Sequence, residues 1–113
     1  MSPITSHVLD TALGKPAVGV ALRLFVLSDD NQWIELAQAV TDTNGRVLKL
    51  LPDNALEPRN YRLSFETGAY FEARVQQVFY ERVEIQFRVT DASEHYHIPL
   101  LLSPFGYSTY RGS

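Results

Sequence analysis

Cysteine is absent from the 113 residues. That removes a disulfide scaffold, a thiolate nucleophile and a thiolate-ligated zinc from consideration, and it fits a reducing compartment. No run approaches the roughly 20 apolar residues of a membrane helix. The opening "MSPITSHVLD" has neither the basic nor the apolar segment of a secretory signal, so cytoplasm is the expected location and no membrane attachment is expected. Positive charge is also scarce. Ten Lys and Arg against 13 Asp and Glu give a net charge of -3, with the cations scattered singly. A phosphate-backbone footprint needs them gathered on one face, so nucleic acid is not an expected partner. Gly-rich phosphate loops, nucleophile elbows, internal repeats and low-complexity tracts are missing too.

What is present is a hydrophobic fraction of 45%, enough for a core in one domain spanning residues 1–113. Alternation with a period of two dominates. In "RVEIQFRVT", Val83, Ile85, Phe87 and Val89 share one face and Arg82, Glu84, Gln86 and Arg88 the other, the pattern of a half-buried strand. "VGVALRLFVL" places Val18, Val20, Leu22, Leu24 and Val26 together, and "NYRLSFE" does the same with Tyr61, Leu63 and Phe65. "QWIELAQAVT" and "RVLKLL" read as weaker strands around "DTNG", whose Asn-Gly suits a tight hairpin turn. Only "GAYFEARVQQ" has helical spacing, through Tyr70, Phe71, Arg74 and Val78, for two to three turns. With "SHVLD", "HYHIPLLL" and "GYSTY" the count is about eight short strands and one helix. The expected fold is an all-β antiparallel sandwich.

Alternation also assigns the outward side chains. In "HYHIPLLL", Tyr96, Ile98, Leu100 and Leu102 share one face, leaving His95, His97, Pro99 and Leu101 on the other. Burying Val8 turns His7 and Leu9 outward, and Ser108 and Tyr110 share a face in "GYSTY". An outer face carrying His, Leu, Pro and Tyr is too apolar for plain solvated surface, which predicts a second subunit over it. Two histidines on one face suit proton transfer or water activation near neutral pH, although surface histidines would show the same spacing. His95 and His97, with His7, also have the spacing of a metal site, but no carboxylate is placed to support one. Arg46, directly after the "DTNG" turn, is either a solvated cation or a planar fork for an anionic or carbonyl-rich ligand. Tyr110, Arg111, Gly112 and Ser113 close the chain with a phenol, a guanidinium and a hydroxyl where tails are ordinarily small and frayed.

"SHVLDTALGKPA", "TDTNGR" and "HYHIPLLLSPFGYSTYRGS" together resemble the 5-hydroxyisourate hydrolases, the transthyretin-related enzymes of urate breakdown, over nearly the whole chain. The terminal Tyr-Arg-Gly-Ser is that family's most specific mark, and transthyretin carriers of the same fold lack it. The resemblance implies a transthyretin-like (prealbumin-like) sandwich of two four-stranded sheets with one short helix. It also implies a homotetramer, a dimer of dimers, with active sites where outer sheet faces meet. It implies a cyclic amide hydrolase that needs no cofactor and no metal, opening 5-hydroxyisourate with water to 2-oxo-4-hydroxy-4-carboxy-5-ureidoimidazoline.

His7, Arg46, His97 and Ser113 are the catalytic residues so implied, and His7, Arg46, Tyr110, Arg111, Gly112 and Ser113 the substrate-binding ones. In the expected division of labour His97, assisted by His7, deprotonates water. Arg46 holds substrate carbonyls and the developing oxyanion, while Tyr110 and Ser113 fix the ring and the water. The rival readings are a transthyretin-type carrier of small ligands and a structural sandwich module without catalysis.

Overall fold

The computed structural model describes residues 2–113. Nine strands and one helix follow in the order β1 (Ile4–Asp10), β2 (Lys15–Pro16), β3 (Ala21–Leu27), β4 (Trp33–Val40), β5 (Arg46–Val47), β6 (Asn60–Phe65), α1 (Thr67–Glu72), β7 (Val83–Arg88), β8 (Tyr96–Ser103) and β9 (Gly106–Thr109). One sheet runs β2-β1-β8-β9, with β5 also paired to β1, and the other runs β4-β3-β6-β7. The sandwich expected from the alternation is therefore present, as is the single short helix.

The two sheets bury their facing side chains in one cluster. From the first sheet come Ile4, Val8, Tyr96, Ile98, Leu100 and Leu102. The second contributes Leu22, Leu24, Tyr61, Leu63, Phe65 and Val83. These are the inward positions that period-two alternation selects, and their burial is the main force holding the layers together.

Four details depart from the expectation. The β1–β8 pair is parallel, with Thr5 opposite His97 and His7 opposite Pro99, although the other strand pairs are antiparallel. The Asn-Gly turn is real but does not join a hairpin: β4 pairs with β3 while β5 pairs with β1, so the turn carries the chain from one sheet to the other. "RVLKLL" contributes only two strand residues, and Leu48 is left exposed. The helix stops at Glu72, because Val75 takes a φ of 55° and the amide of Gln76 folds back to the carbonyl of Phe71.

The ambiguous periodicity of β4 has a local cause. A register shift between Leu24 and Phe25 skips Leu36, so Ala37 and Ala39 face the core while Ile34 and Leu36 are exposed. Val18 lies before β3 and is exposed, whereas Val20 is buried. The helix is anchored by Tyr70 and Phe71. The Tyr70 hydroxyl donates to Asp10 Oδ2 at 2.8 Å, while Asp10 Oδ1 accepts the amides of Ala12 and Leu13 in the turn after β1.

Gly45 ends the inter-sheet turn with a φ of 73°, and a Cβ there would stand 2.4 Å from the carbonyl oxygen of Val8. That oxygen belongs to backbone and cannot swing aside. Gly45→Ala is therefore expected to lose stability by more than the ~1–2 kcal/mol of a left-handed L-residue. A chemical denaturation midpoint unchanged from wild type would contradict this.

Candidate active site

The outer face of the first sheet gathers the polar side chains. Thr5 and His7 point outward from β1, and His97 from β8, with His95 just ahead of that strand. Antiparallel pairing of β5 sets Arg46 opposite His7. Asp42 shapes the turn that brings Arg46 there, its Oδ1 accepting the amides of Asn44 at 2.8 Å and Arg46 at 3.0 Å. Those two amides hold the Asp42 carboxyl below its ordinary range, so the turn is kept by an ionised side chain. The Asn44 carbonyl lies 2.9 Å from His7 Nε2. A carbonyl only accepts, so His7 Nε2 carries a proton and donates.

Thr5, Arg46, Leu48, His95, His97 and Ser113 line a cavity of about 190 Å³. Arg46 makes no ion pair among the described residues, unlike Arg59, Arg62, Arg82 and Arg111. Its planar fork of donors is available to a ligand. Thr5, only 3% exposed, lies between the two histidines, its Oγ1 2.7 Å from His97 Nδ1 and 3.0 Å from His95 Nε2. Among the described residues His97 Nε2 has no hydrogen-bond partner, so the nitrogen away from Thr5 is open for chemistry. The His97 pKa is lowered, first by burial and then by the charges of His95, His7 and Arg46. A neutral imidazole beside an uncommitted guanidinium can accept a proton from water while the cation steadies negative charge.

The tail reaches this site through backbone. Gly112 forms an antiparallel bridge with His97, its amide donating to the His97 carbonyl at 2.8 Å. A Cβ on Gly112 would lie 2.5 Å from His97 Cδ2 and 3.4 Å from Pro99 Cγ, so the segment can cross the ring only as glycine. The requirement is steric: the φ of Gly112 is not in the left-handed region.

Of the residues singled out from the sequence, Arg46, His97 and Ser113 come together at the cavity, with Gly112 packed on the His97 ring. His7 is beside Arg46 but does not line the cavity. Tyr110 and Arg111 line a different cavity of the chain, with Ile85, Phe87, Tyr96 and Ile98. Arg111 is committed to Glu94 at 2.7 Å and stacks 4.4 Å above Tyr96, while Tyr110 is 58% exposed. Thr5, Leu48 and Asn44 had no sequence signal of their own. Thr5 could have been placed by counting two residues back along the face of His7. Among the described residues no group of three or more His, Cys, Asp or Glu is arranged to hold a metal.

Sandwich and outer-face site together define a transthyretin-type protein. The chain belongs to the HIUase/transthyretin family, whose model matches residues 4–112. It is 47% identical to the 5-hydroxyisourate hydrolase of Mus musculus over 113 residues, covering 99% of this chain and 96% of that protein. To the 5-hydroxyisourate hydrolase of Salmonella typhimurium it is 44% identical over 110 residues, covering 97% and 80%. Among solved structures, sea bream transthyretin in complex with thyroxine superposes with a TM-score of 0.93 at 33% identity, covering 97% of this chain and 94% of that one.

The environment of His97 makes a titration prediction. Burial disfavours its imidazolium, as does any positive charge on His95, His7 or Arg46 beside it, so it should titrate below the ordinary 6.5. The sign for stability follows: the unfolded chain protonates first as pH falls, so stability contributed by neutral His97 is lost between about 6.5 and the lower folded value. NMR titration of the ring signals checks this, and a midpoint at or above 6.5 would contradict it.

Proposed function

We propose that this chain is a single-domain 5-hydroxyisourate hydrolase, acting without cofactor or metal, whose catalytic groups are His97, Arg46, His7 and Ser113. The observation that carries the reading is the convergence of an unpaired imidazole nitrogen and an uncommitted guanidinium on one cavity, in a chain alike over its whole length to proteins of that name.

The chemistry needs little more. A water positioned beside His97 Nε2 gives up a proton as its oxygen attacks the ring amide carbonyl of 5-hydroxyisourate. The Arg46 fork holds the carbonyl oxygen as it gains charge. Collapse breaks the C–N bond, and the proton on His97 passes to the departing nitrogen. The products of that bond cleavage are a carboxylate and a ureido group, as in 2-oxo-4-hydroxy-4-carboxy-5-ureidoimidazoline. His7, its Nε2 fixed on Asn44, keeps Nδ1 as its accepting nitrogen and supports the water or substrate from beside Arg46. The Ser113 hydroxyl orders the substrate at the cavity wall.

Tyr110 and Arg111 belong to this proposal through assembly. Half-buried Leu9 and Leu101 and exposed Leu48 lie on or beside the outer face, Tyr110 is exposed near the end of the chain, and a second copy covering this region would account for them. A homotetramer built as a dimer of dimers is the proposed assembly, located in the cytoplasm. Light scattering should give about four times the 12.8 kDa chain mass, and a folded monomer at micromolar concentration would contradict it.

The carrier reading is favoured by one observation, the thyroxine bound in the sea bream relative of the same fold. It assigns no work to an unpaired His97 nitrogen. Point variants separate the two readings. His97→Asn should lose ~10²–10⁴ in hydrolysis rate, the usual contribution of a general base. Arg46→Lys should also lose most activity, because lysine lacks the fork. Removal of residues 110–113 should abolish hydrolysis with the sandwich intact. Either point variant hydrolysing within about threefold of wild type, less than ~1 kcal/mol in barrier, would overturn the assignment.

A further inference from the structure

We propose that Thr5 and His95 form a proton relay that sets the tautomer of His97 and exchanges a proton with it, Thr5 acting as a positioning residue and His95 as the outer end of the chain. The inference rests on the reading of His97 as the base.

The argument begins with a count of protons. A hydroxyl has one hydrogen and can donate to one partner at a time. Thr5 Oγ1 is within hydrogen-bond distance of ring nitrogens on both histidines, at 2.7 and 3.0 Å, so it donates to one and accepts from the other. Two neutral arrangements satisfy all three groups. In the first, His95 Nε2–H donates to Thr5 and Thr5 donates to His97 Nδ1, which puts the His97 proton on Nε2 and leaves no base at the cavity. In the second, His97 Nδ1–H donates to Thr5, Thr5 donates to His95 Nε2, and His97 Nε2 carries a lone pair.

Arg46 selects between them. It lines the same cavity and is a donor only, so it favours the arrangement with an unprotonated Nε2. Burial of Thr5 strengthens the constraint, since a hydroxyl sealed from water has no other partners to turn to.

The same geometry moves a proton. When His97 Nε2 takes a proton from water, its Nδ1 proton passes to the Thr5 oxygen as the Thr5 proton passes to His95 Nε2. The hydroxyl is restored, His97 is neutral with its proton on Nε2, and His95 is the imidazolium. As His97 donates from Nε2 to the departing nitrogen, the relay runs backward in the same step, His95 Nε2 returning its proton to Thr5 and Thr5 passing its own to His97 Nδ1, which regenerates the base. No bond to carbon changes and no oxidant is needed.

His95 is placed for the outer role, because it lines both the His97 cavity and a neighbouring open cleft with Ser2, Pro3, Asp53, Asn54, Ser93 and Glu94. The charged groups around the pair are His7 and Arg46 on the cavity side and Asp53 and Glu94 on the cleft side, with Glu94 already bound to Arg111.

The test combines ¹⁵N-labelled histidine NMR on the wild-type protein with steady-state hydrolysis of 5-hydroxyisourate by Thr5→Val, Thr5→Ser and His95→Gln. The wild-type spectrum should show a pyridine-like nitrogen at His97 Nε2 and a pyrrole-like one at Nδ1. Thr5→Val should lose ~10–100-fold in kcat with little change in KM, the scale of removing a group that orients a reacting histidine. Thr5→Ser should stay within about threefold of wild type. His95→Gln keeps a hydrogen-bond acceptor for Thr5 but cannot take up the relayed proton, so kcat should fall with little change in KM and the pH profile should change from that of wild type.

A pyridine-like Nδ1 on wild-type His97 would overturn the proposal. So would wild-type kcat and pH profile in both Thr5→Val and His95→Gln when His97→Asn is inactive. Activity in His97→Asn would instead remove the base reading and the relay with it. If Thr5→Val fails to fold, the wild-type spectrum and His95→Gln decide the matter.

Discussion

The parallel pairing of β1 with β8 is the constraint on which the rest depends. It lays Thr5 beside His97 and Ser6 beside Ile98. Because side chains alternate along both strands, a slip by one residue would carry Thr5 and His7 into the core and turn Val8 out to solvent. Two interactions resist that slip. Ile4, Val8, Ile98 and Leu100 are held in the apolar cluster, and Ser6 Oγ donates to the Ile98 carbonyl at 2.8 Å from inside the sandwich. Core packing thus fixes the register, and the register fixes which polar groups meet on the far face.

On that face the energetics run opposite to those of the core. Thr5 is buried although polar and is tolerable only because both of its hydrogen-bonding roles are met by histidines. Partial burial and nearby positive charge keep His97 neutral, the state a proton acceptor needs. Arg46 reaches the same cavity through a turn whose last residue has to be glycine, and the tail crosses the His97 ring only because residue 112 is glycine as well. Two glycines thus allow backbone to approach where any side chain would collide, one behind the arginine and one above the histidine.

Much of this was legible in the sequence because it follows from period-two alternation. The inward residues of β3, β6, β7 and β8 and the outward placement of His7 and His97 are consequences of strand geometry alone. Strand direction was not legible: alternation assigns faces but is blind to whether neighbours run parallel, so β1 beside β8 and Thr5 beside His97 could not be read. Partner choice was hidden for the same reason, and the Asn-Gly turn looked like a hairpin when it links two sheets. In β4 a register shift at Leu36 broke the period and weakened the signal. The helix was overextended because Arg, Gln and Ala favour helix locally, whereas the chain turns at Val75. The value of Gly112 lies in its missing Cβ, and the contact that needs it, with the His97 ring, is visible only in the fold.

The most direct test is to follow the ultraviolet absorbance of 5-hydroxyisourate, freshly generated by oxidising urate, with and without this protein. The compound also hydrolyses slowly unaided, so the uncatalysed decay is the baseline. A hydrolytic site on the outer face predicts decay that quickens in proportion to protein concentration and saturates with substrate. Decay at the uncatalysed rate, with the protein folded and in excess, would contradict it.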